Sequence, residues 1–154
     1  MDGKVSGAVV VVQHSVFDSN RAVAVNIGGD LKLAQGGAIH FEGQLLLVEY
    51  CRFARNEGQQ GGAIYAANNN GTSLVVTGSQ FMDNKAFEAY IGNEYNKSTP
   101  GSGGAVFTAK HMQSIAFEGS YFDGGRSAMS SDGSGPHCAH GQAGTSESST
   151  VCNG

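Results

Sequence analysis

The feature that most constrains this chain is a motif that occurs four times along it. In three copies an alternating apolar segment leads through a small residue to Phe-x-x-Asn, and in the fourth copy Gly125 replaces the Asn. A Gly-Gly-Ala-(Ile/Val) tetrapeptide precedes three of the copies and starts at Gly36, Gly61 and Gly103. Self-similarity of this kind is typical of stacked units, none of which can bury its apolar face alone.

Within each copy the apolar residues follow the period of a β-strand. Leu74 and Val76 are two residues apart, as are Ile115 and Phe117 in the last copy. The Gly-Gly pairs are unfavourable in a helix, but they suit a sharp corner where the backbone needs a positive φ or a close neighbour. Identical positions in successive short strands predict parallel, in-register stacking with about 4.8 Å between levels. The predicted fold is therefore all-β, a parallel β-helix of about four coils.

Parallel stacking aligns like residues into columns along the axis of the fold. The predicted columns are aromatic (Phe17, Phe53, Phe81, Phe122), aliphatic (Val12, Val48, Val76, Phe117), small (Ser15, Cys51, Ser79, Ser120) and an Asn ladder (Asn20, Asn56, Asn84). We expect the ladder to lie at a turn, where Asn tolerates a left-handed backbone and hydrogen-bonds the backbone of the next coil.

The two halves of the motif, Gly-Gly-Ala-(Ile/Val) and Phe-x-x-Asn, resemble the repeat of the chlamydial polymorphic outer-membrane proteins. That repeat also occurs in large surface and secreted proteins of other bacteria and of single-celled eukaryotes. The resemblance covers about residues 7–125. It implies a right-handed parallel β-helix of the pectin-lyase-like kind, displayed at a cell surface or secreted, and often adhesive. The first copy lacks its second Gly and the fourth lacks the Asn, which implies weaker coils near the ends.

The repeats divide the chain into a β-helical domain, residues 1–126, and a tail, residues 127–154. The coils are expected near 7–35, 36–60, 61–102 and 103–126. Val23, Val25 and Ile27 alternate and are expected in a third strand of the first coil. We expect the tail to be a disordered linker, because it is rich in Ser and Gly and has few apolar residues. We also expect the chain to belong to a larger polypeptide, because apolar strand columns begin almost at once and no signal peptide is recognisable.

The charge of the chain argues against several classes of function. The chain has nine Lys and Arg residues and thirteen Asp and Glu residues, which gives a net charge of −4. A nucleic-acid interface would need clustered basic residues, so no nucleic-acid partner is predicted. No run of eighteen apolar residues is present, so no membrane span is predicted. No phosphate-binding loop with its Lys is recognisable either, and we predict no cofactor.

The cysteines leave two alternatives open. Cys51 falls in the small column, whereas Cys138 and Cys152 lie in the tail. A disulfide between Cys138 and Cys152 would close a short loop and fit an oxidising compartment, and free thiols are the alternative. His137 and His140 add donor atoms for zinc, but the spacing matches no closed zinc site, so no metal is predicted.

Two carboxylates are the best candidates for catalysis. Glu49 and Glu118 point outward at matching positions of the second and fourth coils, with Thr77 between them. Two strand spacings put them about 10 Å apart, slightly beyond the separation of an inverting glycosidase. The competing interpretation is that both are ordinary solvated residues on the wall of the fold.

A column of aromatic side chains is the best candidate for binding. If Ile39, Ile64 and Val106 point inward, the next residues along the chain point outward and stack as one exposed column: His40, Tyr65 and Phe107. Such a patch often marks a ligand or partner surface. Two alternatives are that the loop 88–102 covers the column and that the strand phase is reversed.

The favoured function is a non-enzymatic scaffold at a cell surface or in the secreted fraction, which binds a glycan or a cell-surface protein. This expectation rests on the resemblance, because a fold alone does not determine a function. One alternative is a polysaccharide lyase or glycoside hydrolase of the pectin-lyase-like class, using Glu49 and Glu118. The other is an inert spacer within a larger surface protein.

Overall fold

The computed structural model describes residues 7–27, 30–67, 72–87, 89–90, 98–99, 101, 103–108, 112–124 and 126–127. Every regular element in these residues is a β-strand, and they contain no helix. The strands are β1 (Val9–Gln13), β2 (Val16–Asp18), β3 (Val25–Ile27), β4 (Asp30–Lys32), β5 (Ile39–Phe41), β6 (Leu45–Glu49), β7 (Arg52–Ala54), β8 (Glu57–Gly58), β9 (Ile64–Ala66), β10 (Thr72–Thr77), β11 (Gln80–Met82), β12 (Lys85–Ala86), β13 (Ala89–Tyr90), β14 (Ser98–Thr99), β15 (Val106–Thr108), β16 (Met112–Glu118), β17 (Tyr121–Asp123) and β18 (Arg126–Ser127).

Four parallel sheets each take one strand from successive copies of the motif. The first sheet has the order β1-β6-β10-β16, and the second has the order β2-β7-β11-β17. The third joins β8, β12 and β18, and the fourth joins β5, β9 and β15. The chain therefore visits the sheets in the same order in each repeat, as expected from the self-similarity of the sequence. The protein is all-β with parallel sheets, an arrangement compatible with a parallel β-helix.

The registers of the strands align the predicted columns. Val76 lies opposite Val48 on one side and Phe117 on the other. Phe53 lies opposite Phe17 and Phe81. Adjacent Phe rings stack nearly parallel, with centroids 4.8, 4.8 and 4.6 Å apart down the column. The spacing matches that of the backbone strands, so each ring contacts the ring of the next level.

The core is most completely buried in the middle repeats. Phe53, Leu46, Val48 and Val76 have no exposed surface, and Phe81 retains 1 %. In the first strand Val10 is 40 % exposed, because β1 is the outermost strand of its sheet. The burial of each column therefore falls towards the ends of the stack.

The corner at Gly61 and Gly62 needs both glycines, for different reasons. Gly61 has a φ of +72°, a conformation that side chains disfavour. A Cβ on Gly62 would lie 2.0 Å from the carbonyl oxygen of Gly104 in the next repeat. A hydrogen bond also joins this corner to the corner of the next repeat: the Gly62 N–H donates to the Gly103 carbonyl at 3.0 Å. The first Gly thus permits the turn and the second permits the close stacking.

The ladder asparagines differ from expectation in backbone conformation. The left-handed residue is the one before each Asn, with φ between +52° and +57° at Ser19, Arg55 and Asp83. In the fourth repeat Gly124 takes this position, with φ of +63°. The prediction that the ladder Asn adopts a left-handed backbone is therefore wrong. The residue before it makes the turn, which leaves the Asn side chain free to point inward.

The direction of the ladder bonds also differs from the prediction. Asn56 Nδ2 donates to the carbonyl of Phe17 at 3.0 Å, and Asn84 Nδ2 donates to that of Phe53 at 2.9 Å. These bonds run to the preceding repeat rather than to the next one. Asn56 and Asn84 are buried, whereas Asn20 is exposed at the end of the ladder.

Two hairpins depart from the repeating pattern. β3 pairs antiparallel with β4, so Val25 and Ile27 do not form the third strand of the first repeat. That level of the third sheet is instead occupied by Arg21, which bridges to Glu57. The sequence continues with Gly28 and Gly29, and a Gly-Gly pair between two short strands favours a local hairpin over long-range pairing. The second hairpin joins β13 and β14.

The ends of the described structure bear on two other expectations. Strand β18 includes Ser127, one residue beyond the predicted boundary of the domain. The predicted tail after Ser127 lies outside the described residues, as does the Asn-column position Gly125. No helix in the part of the chain that the structure describes is long and apolar enough to span a membrane.

Candidate functional site

Three outward-facing groups of side chains are candidates for function. The aromatic column comprises His40, Tyr65 and Phe107, which project from β5, β9 and β15. The carboxylate column comprises Gln13, Glu49, Thr77 and Glu118, which end the four strands of the first sheet. The corner pair comprises His14 and Tyr50, which follow β1 and β6 at the bend between the first and second sheets.

The aromatic column is continuous from ring to ring. Parallel pairing places Tyr65 opposite both His40 and Phe107. The Tyr65 and Phe107 rings are stacked with centroids 5.5 Å apart and an interplanar angle of 4°. The His40 ring lies 4.9 Å from that of Tyr65 and is tilted by 58°. The three rings predicted to share a column therefore do so.

The exposure of this column differs from the prediction at its centre. Tyr65 is only 8 % exposed, Phe107 is half-buried and His40 is exposed. The Tyr65 ring has a neighbouring ring on each face, and its hydroxyl is hydrogen-bonded to the side chain of Gln35. The expectation of a uniformly exposed column is therefore wrong at Tyr65, and its accessible part is at the His40 end.

Polar groups surround the buried tyrosine. Burial raises the pKa of the Tyr65 hydroxyl, the negative charge of Glu42 raises it further, and the hydrogen bond with Gln35 opposes both effects. His40 Nε2 lies 3.1 Å from Glu42 Oε1, and Gln35 Nε2 donates to Gln60 Oε1 at 2.9 Å. These contacts give the column a polar margin that can hydrogen-bond a ligand.

The carboxylate column is in register but does not bring its two acids together. Thr77 pairs with Glu49 on one side and with Glu118 on the other, so one strand separates the carboxylates. Gln13 Nε2 donates to Glu49 Oε2, which engages one oxygen of that carboxylate. Glu118 is exposed and Glu49 is half-buried. The two carboxylates therefore lie on strands that are two levels apart.

No metal centre is formed within the part of the chain that the structure describes, where no three His, Cys, Asp or Glu side chains converge. Cys51 is a free, buried cysteine of the small column. The Cys51 N–H donates to Ser79 Oγ at 3.0 Å, which links neighbouring levels at the bend. Cys138 and Cys152 lie outside the described residues, as do His137 and His140.

The corner pair was missed by the sequence analysis. His14 and Tyr50 have left-handed backbones, with φ of +48° and +53°, and the same position is glycine at Gly78 and Gly119. The two rings stack with centroids 5.4 Å apart and an interplanar angle of 12°. Tyr50 is 59 % exposed. The signal was available in the aligned repeats, because this column reads His, Tyr, Gly, Gly immediately before the small column.

The corner pair combines backbone strain with ring stacking. A left-handed backbone costs a residue with a side chain about 1–2 kcal/mol. A stacked ring pair contributes about 0.5–1.5 kcal/mol beyond its buried area, which offsets part of this cost. Ser19, Arg55 and Asp83 adopt the same backbone conformation at the other bend, so the strain by itself does not distinguish His14 and Tyr50.

Comparisons with protein-family models, with curated proteins and with solved structures found no match to this chain.

Proposed function

We propose that this chain is part of a right-handed parallel β-helix at a cell surface or in a secreted protein, and that it acts as a non-enzymatic binding scaffold. The ligand is a glycan or a cell-surface protein, held by the outward-facing columns and the loops beside them. The resemblance of the Gly-Gly-Ala and Phe-x-x-Asn motifs to the repeat of polymorphic outer-membrane proteins supports this function. The four parallel sheets with one strand per repeat support the fold.

The observation that carries the proposal is the contrast between the aromatic and the carboxylate columns. The aromatic rings are in direct contact through three successive levels, from His40 to Phe107. The carboxylates of Glu49 and Glu118 are kept apart by the strand that carries Thr77. Binding to an extended ligand requires repeated contacts along a wall, whereas hydrolysis or elimination requires acid and base to converge on one bond. The aromatic column supports binding at its exposed His40 end.

The main alternative is a carbohydrate-active enzyme of the pectin-lyase-like class. Its support is that both acids face the same wall, in register, at a separation near that used by inverting glycosidases. The hydrogen bond from Gln13 weighs against Glu49 as a catalytic group, because it occupies one oxygen of that carboxylate. In this alternative Glu118 is the more accessible of the two carboxylates.

The proposal is tested with the purified full chain and a panel of plant, algal and bacterial polysaccharides, together with intact cells. Retention on polymer or cells is measured alongside the release of reducing or unsaturated ends. We expect retention without release, and we expect Glu49→Gln and Glu118→Gln variants to be retained as the parent chain is. Release that disappears in either variant would establish the enzyme instead. If neither retention nor release is observed, only the spacer interpretation remains.

A further inference from the structure

The first repeat lies at one end of the stack, and its outer edge is open in the part of the chain that the structure describes. β1 and β2 are the end strands of their sheets. Strands in this position present a row of unpaired N–H and C=O groups. The six exposed valines of the described residues all fall in this repeat, between Val9 and Val25. Exposed apolar surface at a strand edge is typical of a site for another strand.

We propose that this edge is a docking surface for a strand segment of a partner polypeptide. The segment adds parallel to β1 and β2 as one further level of the stack, and it carries the pattern small-x-Phe-x-x-Asn after an aliphatic strand. This inference is independent of the binding function proposed above, because it concerns the end of the stack rather than its outward-facing columns.

The Asn ladder shows which donors this edge lacks. Asn56 Oδ1 accepts hydrogen bonds from the backbone N–H and the side-chain Nδ2 of Asn20, one level earlier. Asn84 Oδ1 accepts the same pair from Asn56. Asn20 Oδ1 accepts no hydrogen bond from the described residues. An Asn at the matching position of an added segment would supply both donors, as the two inner levels show.

The small column shows the same difference between the edge and the inner levels. Ser79 Oγ accepts from the Cys51 N–H at 3.0 Å, and Ser120 Oγ accepts from the Ser79 N–H at 3.2 Å. In both cases the donor lies one level earlier. Ser15 Oγ donates to the carbonyl of Gln13, but it accepts no hydrogen bond from the described residues. A backbone N–H of an added segment would reach this oxygen in the same way.

The apolar columns also have an open face at this edge. Phe53 has a stacked ring on each side and is fully buried, whereas Phe17 has a described ring on one side only and is half-buried. Val10 is exposed, whereas Leu46, its partner in β6, is fully buried. A Phe and an aliphatic residue of an added segment would cover these two faces. The apolar contacts therefore specify the same register as the polar ones.

Charged side chains at the edge restrict the partner further. Asp18 and Arg21 are both exposed. In the second repeat Arg55 pairs with Asp18, and Glu57 pairs with Arg21 at 3.3 Å. These two residues come directly before and directly after the ladder Asn of that repeat. A partner segment with a basic residue before its Asn and an acidic residue after it therefore matches the charges of the edge.

A second copy of this chain matches the edge poorly. Stacked in the same direction, its fourth repeat would place Asp123 beside Asp18, because both belong to one column of the second sheet. Like charges at this spacing repel. Its ladder position is Gly125, which has no side-chain amide to donate to Asn20. Outside the four copies, no segment of the 154 residues has the small-x-Phe-x-x-Asn pattern, so the segment belongs to a partner.

The surface is tested with a fluorescent synthetic peptide that has the sequence of residues 45–57 with Cys51→Ser. This peptide contains the whole pattern together with Arg55 and Glu57. We expect saturable binding to the full chain in fluorescence polarisation. With Asn56→Ala in the peptide we expect binding about tenfold weaker, because two hydrogen bonds are lost. A scrambled peptide of the same composition should not bind.

Variants of the chain locate the contact. Asn20→Ala should weaken binding about tenfold and should remove the preference for Asn over Ala in the peptide, because both changes delete the same contact. Ser15→Ala should weaken binding but keep that preference. Tyr121→Ala, at the opposite end of the stack, is the matched control and should bind the peptide as the parent chain does. The melting temperature of each variant checks that it is folded.

Each outcome decides one part of the inference. Absence of saturable binding, or equal binding of the scrambled peptide, overturns the docking surface. A preference for Asn that persists in Asn20→Ala overturns the register. Sedimentation of the chain alone tests the other occupant, since a dimer that dissociates in Asn20→Ala would assign the edge to a second copy. None of these results bears on retention on polysaccharides or cells, so this inference and the proposed function fail separately.

Discussion

Asn84 Oδ1 accepts two hydrogen bonds from Asn56, one from its backbone N–H at 3.0 Å and one from its side-chain Nδ2 at 2.9 Å. Asn56 Oδ1 accepts the same two bonds from Asn20, at 3.0 and 2.9 Å. A single side chain therefore satisfies the backbone of the preceding repeat and also ties the ladder together. Since buried polar groups are costly when unpaired, this ladder fixes the register of three repeats at once.

Replacement of the inner ladder residue should destabilise the fold strongly. Asn84→Ala leaves the Asn56 N–H and the Phe53 carbonyl without their partners in a buried environment. Each unpaired buried group costs about 1–3 kcal/mol, so we expect a loss of about 3 kcal/mol or more in the free energy of unfolding. Denaturant unfolding measures it. Asn20→Ala is the matched control at the exposed end and should cost less than about 1 kcal/mol; equal losses would contradict the role assigned to burial.

The stacked Phe column should be more sensitive than a Phe outside it. Phe81→Ala removes a buried ring that contacts Phe53 and Phe122, and we expect a loss of about 3–5 kcal/mol. Phe87 is half-buried beside Arg21, with the guanidinium 5.5 Å from the ring centroid, so Phe87→Ala should cost much less. Thermal and denaturant unfolding of both variants would test the column, and similar losses would argue against it.

The second glycine of the corner should tolerate no side chain. In Gly62→Ala the new Cβ meets the Gly104 carbonyl oxygen at 2.0 Å and the Lys85 nitrogen at 2.6 Å. Both atoms are backbone and cannot move without separating the repeats, so we expect a loss of at least about 3 kcal/mol. Gly119→Ala meets open space and should lose only about 1–2 kcal/mol for its left-handed backbone. A Gly62→Ala chain as stable as the parent would rule out the observed contact between corners.

Tyr65 should make stability depend on pH in the alkaline range. Burial raises its pKa in the folded state above the ordinary value of about 10, so the folded state holds the proton more tightly than the unfolded state. Stability from this group is complete below pH 10 and is lost as the pH rises through the folded-state pKa. Unfolding measured between pH 9 and pH 11.5 should show this loss, and the slope should be smaller in Tyr65→Phe. An unchanged slope would show that another group is responsible.

The sequence predicted the stacking better than it predicted the corners. Identical spacing before Phe53 and Phe81 determines which residues share a level, because a shift of one residue would turn every apolar side chain outward. The left-handed position before Asn56 was not predictable from its residue type, since Arg55 is not a residue that favours this backbone. Similarly, alternation in Val25 and Ile27 indicates a strand but not its partner, and the local hairpin formed instead.

The candidate site was predicted only in part for a related reason. The order of His40, Tyr65 and Phe107 follows from the register, but the Tyr65 hydroxyl is hydrogen-bonded to Gln35, a residue outside the motif. The corner pair was missed because His14 and Tyr50 align with glycines in the other repeats. That alignment indicates a left-handed backbone only when the backbone angles are known.

Differences in length between the repeats are absorbed at a few corners and leave the sheets intact. Three residues separate β5 from β6, whereas five separate β9 from β10, and the pairing of β10 with β16 has a register shift between Thr72 and Ser73. From Ser73 to Thr77 the strand again matches both neighbours. The connection after Ala66 is thus a natural place to graft foreign peptides, with the parallel sheets serving as a frame that holds its alignment whatever the graft displays.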